Sequence, residues 1–209
     1  MLDPRRIRQQ GFLTSRQAFV LLALIFLTPT FVAWVMHNVG GGWQPEGSIN
    51  HGKLVHPARP LELPQDLVYG DRALGEYLQG KWTLVYIEAT DCSDVCRDSL
   101  YKMRQARIAQ NENMQRVQRL FVIGNATVTQ ELEGFLAGEH PRMDTMKLLP
   151  EQFDRLSGFF SIDATPVGEA GRVYIVDPLG NLMMYYPPDA DARGLLKDLQ
   201  KLLKSSRIG

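Results

Sequence analysis

Cysteine is nearly absent from this chain: Cys92 and Cys96 are the only two thiols among 209 residues. Whatever thiol chemistry the protein has must come from that one pair. An excess of charge of either sign is also missing, since 23 basic residues balance 23 acidic ones. Lys and Arg do not cluster anywhere beyond the N-terminus, so a nucleic acid is not an expected partner. There is no internal repeat, no low-complexity tract and no long block of charge. The length suits one domain of about 150 residues with additional segments.

Long apolar runs are scarce too, with one exception. Residues 18–36, AFVLLALIFLTPTFVAWVM, contain no charged side chain. As a helix this stretch spans about 28 Å, close to the thickness of a bilayer core. Arg5, Arg6, Arg8 and Arg16 precede it, and the first charge after it is Glu46. That asymmetry keeps the N-terminus (1–17) in the cytoplasm and sends the rest across the membrane. Pro29 and its flanking threonines can kink such a helix without forbidding it. A cleaved signal peptide fits less well. The run is longer than a signal core, and a cut after Ala33 would place Phe31 where a small residue is wanted. An uncleaved anchor over 18–36 is the expectation, in a bacterial inner membrane with the C-terminal domain in the periplasm. The exported part then carries 19 basic and 22 acidic residues.

Residues 37–59 read as a flexible tether, with consecutive glycines and little apolar periodicity. His51 and His56 fall there and are expected to be solvated. A folded domain over 60–209 follows. Residues 81–89 and 116–124 are β-branched and aromatic, and read as buried strands. A helix from about 94 to 111 joins them, with Cys96, Leu100, Met103 and Ile108 near one stripe. Residues 127–138 form a helix opened by a threonine cap, with acidic residues in its first turn. Pro150 starts another helix over 150–160. Residues 171–187 read as a hairpin with its loop at 177–181, and 191–206 as an amphipathic helix. Two strands joined by a helix make a parallel pair, and the late hairpin adds an antiparallel one. The expected fold class is therefore α/β: a thioredoxin-like mixed sheet flanked by helices, preceded by one N-terminal transmembrane helix.

Cys92 and Cys96 sit where the first crossover helix begins, in EATDCSDVCRDSL. Thiols at i and i+4 share a helix face and can join or clamp one ion. A structural staple is a weak explanation, because the stabilisation from a cross-link grows with the enclosed loop and this loop is very short. A helix N-terminus favours a thiolate on Cys92, whereas Asp91 and Asp94 oppose it. Two thiolates also make a soft site suited to Cu(I). A peroxiredoxin-type peroxidase is disfavoured: the threonine such enzymes place three residues before the cysteine is here Ala89, and Thr90 is out of register.

The anchor, the strand, the motif CSDVC and the late YIVDPLGN together resemble the Sco/SenC family, over roughly residues 60–204. The segments NHGKLVHPARPL and LYKMRQAR…RVQRLFVI are similar to a divergent bacterial branch described as cytochrome-oxidase-associated transmembrane proteins. The resemblance implies a thioredoxin-like protein that helps build the copper centre of cytochrome c oxidase, with an oxidase subunit or other assembly factors as partners. It implies that Cys92 and Cys96 are the redox-active, copper-binding pair. The family's third ligand, a histidine, should fall near Gly168 or Glu169, yet DATPVGEAGR holds no histidine. His140, Met183 and Met184 are the candidate substitutes, and Pro166 could take the place of the cis-proline that thioredoxins set opposite their cysteines. Three readings stand: a dithiol that exchanges disulfides with a partner, Cys92 attacking and Cys96 resolving; a Cu(I) carrier without turnover; and a scaffold in which the dithiol is vestigial.

Overall fold

The computed structural model describes residues 14–39, 50–124, 128–206 and 208. The chain divides into two units, Met1–Ser48 and Ile49–Gly209. In the first, helix α1 runs over Ser15–Val39 and is long and apolar enough, by length and composition, to cross a membrane. Pro29 lies inside it without ending it. Thr28 and Thr30 on either side donate their hydroxyls back to the carbonyls of Leu24 and Phe26, which keeps these polar groups satisfied within the helix itself.

The second unit is built on a six-stranded sheet. Its strands are β1 (Lys53–Pro60), β4 (Trp82–Glu88), β5 (Val117–Ile123), β6 (Asp144–Lys147), β7 (Val173–Val176) and β8 (Asn181–Tyr186), in the order β1-β8-β7-β4-β5-β6. A two-stranded ribbon, β2 (Val68–Tyr69) and β3 (Arg72–Ala73), leads into the short helix α2 (Leu74–Tyr77). β4 pairs parallel with β5, and β5 with β6, while β7, β8 and β1 add antiparallel partners. The expected mixed sheet with helices on both faces is thus what the chain forms.

Side chains alternate across the central strand. Leu84 and Tyr86 pack under α3 (Asp94–Ile108) and α6 (Ala192–Ser205). Val85 and Ile87 pack on the other face, against α2 and α5 (Pro150–Phe160). All four are fully buried, as a strand covered on both faces requires. The remaining helix, α4 (Gln130–Glu139), is capped by Thr129, whose hydroxyl accepts from the Leu132 N–H. Thr127, the start read from the sequence, lies outside the described residues. The β7–β8 turn falls at 177–181 as expected. Asp177 Oδ1 accepts from the N–H groups of Leu179 and Asn181, and Gly180 takes a positive φ of 85°.

Two strands differ from the sequence reading. Residues 53–59, assigned by composition to the tether, belong to edge strand β1. Its register slips between Leu54 and Arg59, so Pro57 stands where no ladder bond is needed. Edge positions and bulges are where a sheet tolerates proline. β6 is four residues long and carries too little periodicity to be read in advance.

The start of β1 is locked by Asp198 of α6, whose side chain is 2% exposed. Its carboxylate accepts from the backbone N–H of His51 at 2.7 Å and of Gly52 at 2.9 Å. It also accepts from the Tyr186 hydroxyl at 2.8 Å and lies 3.0 Å from His51 Nδ1. His51 is therefore engaged rather than simply solvated, while His56 lies exposed on β1. Burial alone would raise the Asp198 pKa, but these donors together hold it below the ordinary carboxylate value. Gly52 has no room for a side chain, because a Cβ there would stand 2.5 Å from the Tyr186 ring. Asp198→Ala strands these donors. It should cost about 2–4 kcal/mol, read as a lower denaturation midpoint of the full chain in detergent, monitored by tryptophan fluorescence.

Candidate functional site

The cysteine motif occupies the turn between β4 and α3. Ser93 is the N-cap of α3 and its hydroxyl accepts from the Cys96 N–H at 3.3 Å. That satisfies one of the donors every helix start leaves open. Cys92 and Cys96 are joined as a disulfide, with Cα atoms 5.2 Å apart. Their surroundings are unequal: Cys96 is fully buried in the core beneath α3, whereas Cys92 is 9% exposed. Both belong to one core cluster, and Cys92 is the cysteine of the pair that keeps any solvent exposure.

A second segment closes on this turn. The Ala89 N–H donates to the Gly168 carbonyl at 3.1 Å. Gly168 belongs to a short 3-10 turn, Val167–Glu169, begun by Pro166. A Cβ on Gly168 would stand 2.7 Å from Ala89 Cβ and 2.8 Å from its backbone nitrogen, so only glycine permits this approach. Three residues on, Gly171 has φ +58°, and a Cβ there would meet Val95 Cγ1, in the first turn of α3, at 3.1 Å. The segment that lacks the family histidine thus packs against both flanks of the cysteine motif. Gly168 cannot carry a side chain, and exposed Glu169 is the position that could. Thr165–Pro166 is trans, since the cis peptide among the described residues is His56–Pro57. A cleft of about 430 Å³ opens beside the turn, lined among others by Ala89, Phe153, Thr165, Pro166 and Glu169.

The other candidate ligands lie elsewhere. His140 is buried against Arg119, with its ring edge-on to Phe135. Met184 is a core residue beneath α6, with its sulfur 3.8 Å from the Tyr186 oxygen. Met183 packs half-buried against the same cluster. Among the described residues, no group of three or more His, Cys, Asp or Glu side chains could hold a metal ion. Two sulfurs alone form the donor set at the motif.

One residue of the site was missed in the sequence. Glu88 ends β4 in the alternation Leu84-Tyr86-Glu88, on the face covered by α3, and is half-buried. Burial pushes its carboxyl up to about 7, and the charge of Glu169 adds to this against the opposing hydrogen bond from the Tyr86 hydroxyl. An acid at an inward strand position was a legible signal. A folded-state pKa raised above the unfolded value means that the group costs nothing at low pH and destabilises as pH rises from about 4.5 through 7. Glu88→Gln should therefore match wild type near pH 4 and be more stable at pH 8. The gain should be on the order of 1 kcal/mol, discounted for partial exposure, and is read from denaturation midpoints at the two pH values.

A mixed sheet, a crossover helix and a dithiol at its N-terminal turn define a thioredoxin-like protein. Residues 82–206 match the family model described as transmembrane-like, thioredoxin-like, C-terminal domain, and the chain belongs to that family. Among curated relatives, it is 24% identical over 160 residues to the mitochondrial protein SCO1 homolog 1 of Arabidopsis thaliana, covering 71% of this chain and 47% of that one. The chain thus spans about half the length of that relative. A putative copper-binding protein of Stutzerimonas stutzeri is 25% identical over 190 residues, covering 78% and 86%. Among solved structures, apo Sco1 of Thermus thermophilus aligns with a TM-score of 0.57 at 20% identity, covering 76% of this chain and 99% of that one. Copper-bound ScoI of Arabidopsis thaliana gives 0.53 at 21%, covering 71% and 99%. At these identities the structures establish the fold. The Sco/SenC resemblance drawn from CSDVC and its context is borne out by these relatives. The apolar helix and the family description support a membrane-anchored protein.

Proposed function

We propose that this protein is a Sco-like assembly factor of a bacterial inner membrane, acting by thiol–disulfide exchange on the copper-centre cysteines of a cytochrome c oxidase subunit. The observation that carries the reading is the unequal disulfide at the start of α3, with Cys92 slightly exposed at the edge of the core and Cys96 fully buried. In the reduced protein the Cys92 thiolate attacks a partner disulfide, forming a mixed disulfide and releasing one partner thiolate. The Cys96 thiolate then attacks Cys92 Sγ, the partner leaves as a dithiol, and Cys92–Cys96 is left oxidised. Two electrons pass to the partner, and a further dithiol reductant must restore the pair. The cleft beside Pro166 supports the reading by offering room for the partner chain. The charge asymmetry around 18–36 supports a cytoplasmic N-terminus and a periplasmic domain.

The name of the Stutzerimonas stutzeri relative favours a second reading, in which the reduced pair carries Cu(I). Two thiolates suit that soft ion, whereas Cu(II) prefers an imidazole that this site does not supply. The serine variants test the exchange mechanism. Cys96→Ser should accumulate a mixed disulfide through Cys92 with a disulfide-containing oxidase-subunit peptide, and Cys92→Ser should form none, as read by non-reducing mass spectrometry. Exchange that persists in Cys92→Ser overturns the mechanism.

The copper site has its own test. Reduced wild type should bind one Cu(I) and only weakly hold Cu(II). Glu169→His should raise Cu(II) affinity and produce a thiolate-to-copper absorption band. Stoichiometric Cu(II) with imidazole coordination in wild type would refute the two-sulfur site.

A further inference from the structure

At the far end of α3 from the cysteines, four arginines that are scattered in sequence converge on one cavity. Arg104 and Arg107 come from α3, Arg119 from β5 and Arg142 from the connection between α4 and β6; together they line a space of about 160 Å³. From Cys96 to Arg107 the helix rises about 16 Å, so this cavity is separate from the dithiol.

The arginines lack the partners that would explain them. Among the described residues none of the four pairs with a carboxylate, although Arg97, Lys102, Lys147, Arg155 and Arg172 do. Arg119 is only 3% exposed and its Nε has no hydrogen-bond partner. One of its terminal nitrogens lies 3.4 Å from His140 Nδ1. Burial, with Arg119 and Arg104 beside it, pushes His140 down to about 4, so at neutral pH the ring adds no charge of either sign. Arg107 spends its Nε on the Val117 carbonyl at 2.7 Å. The carboxylate that acts electrostatically on Arg107 and Arg119 is Asp144, and its two oxygens already accept from the hydroxyls of Tyr69 and Tyr77.

Burying a guanidinium without a counter-charge is costly. Such an arrangement is sustained most simply by an anion that enters from solution. The forked donors of arginine match a phosphate group, and several guanidinium groups around one small space favour a doubly charged oxyanion over a single carboxylate. The volume equals that of roughly five waters, enough for one phosphate group but not for a nucleotide. We infer that the Arg104–Arg107–Arg119–Arg142 cavity is a binding site for a compact phosphate group, supplied either as free phosphate or as the monoester head of an anionic lipid.

The test uses the full chain in an uncharged detergent at low ionic strength, titrated with inorganic phosphate, with dihexanoyl phosphatidic acid and with acetate, and followed by melting temperature. Phosphate, phosphatidic acid or both should raise the melting temperature saturably, and acetate should not. Arg104→Gln/Arg142→Gln alters half-buried and exposed positions and should fold normally, yet weaken binding by roughly tenfold or more, the scale of one or two charge-assisted hydrogen bonds. A response to inorganic phosphate identifies the free anion as sufficient, whereas a response to phosphatidic acid alone assigns the lipid head. The inference is overturned if neither phosphate compound shifts the transition, if acetate does so equally, or if the double variant responds as wild type does.

Discussion

The double-sided burial of β4 is the constraint on which the rest of the sheet-bearing unit depends. Leu84, Val85, Tyr86 and Ile87 are fully excluded from water, two toward each layer of helices. Each such side chain is worth roughly 1.5–3 kcal/mol relative to exposure. The strand also has hydrogen-bonded neighbours on both sides, parallel β5 and antiparallel β7. A parallel neighbour forces the chain to leave β4 at its C-terminal end and return through a crossover helix. The cysteine motif occupies that exit, where the strand has left the core and the helix has only begun.

At the exit, packing and chemistry pull in different directions. Cys96 is set in the hydrophobic layer with Leu100 and Met103, and its backbone is fixed by the Ser93 cap. Cys92 stands one residue before the cap, at the surface of the same layer. The neighbouring turn through Gly168 and Gly171 packs on Ala89 and Val95, on either side of the pair, only because neither glycine carries a Cβ. Glu88 is the cost of this closeness, a carboxyl partly withdrawn from water and facing the charge of Glu169. Here the polar groups are packed less favourably than a stability-only design would choose, as is common where a fold carries a reactive site.

The arginine cavity is the counterpart at the opposite end of α3. The helix C-terminus favours cations there, and Arg107 uses a strand-end carbonyl in addition. Neither feature offsets four guanidinium groups, one of them withdrawn from water. The charge balance of the whole chain hides this local excess, since net charge is zero.

By itself the sequence determined what rests on local periodicity and composition. The apolar run at 18–36, the buried strands β4 and β5, their connecting helix, the 177–181 turn and the cysteine pair were all legible, because each announces itself within a window of ten to twenty residues. Edge strands were not. β1 contains Pro57 and Pro60 and β6 has four residues, so neither has strand character of its own, and both exist because β8 and β5 offer open hydrogen-bonding edges. Long-range polar groupings were equally hidden. Asp198 meets His51 across 147 positions, and Arg104, Arg107, Arg119 and Arg142 never form a run that a linear scan for basic clusters would find. Proximity of that kind is created by the order in which strands join the sheet, and only the tertiary structure decides it.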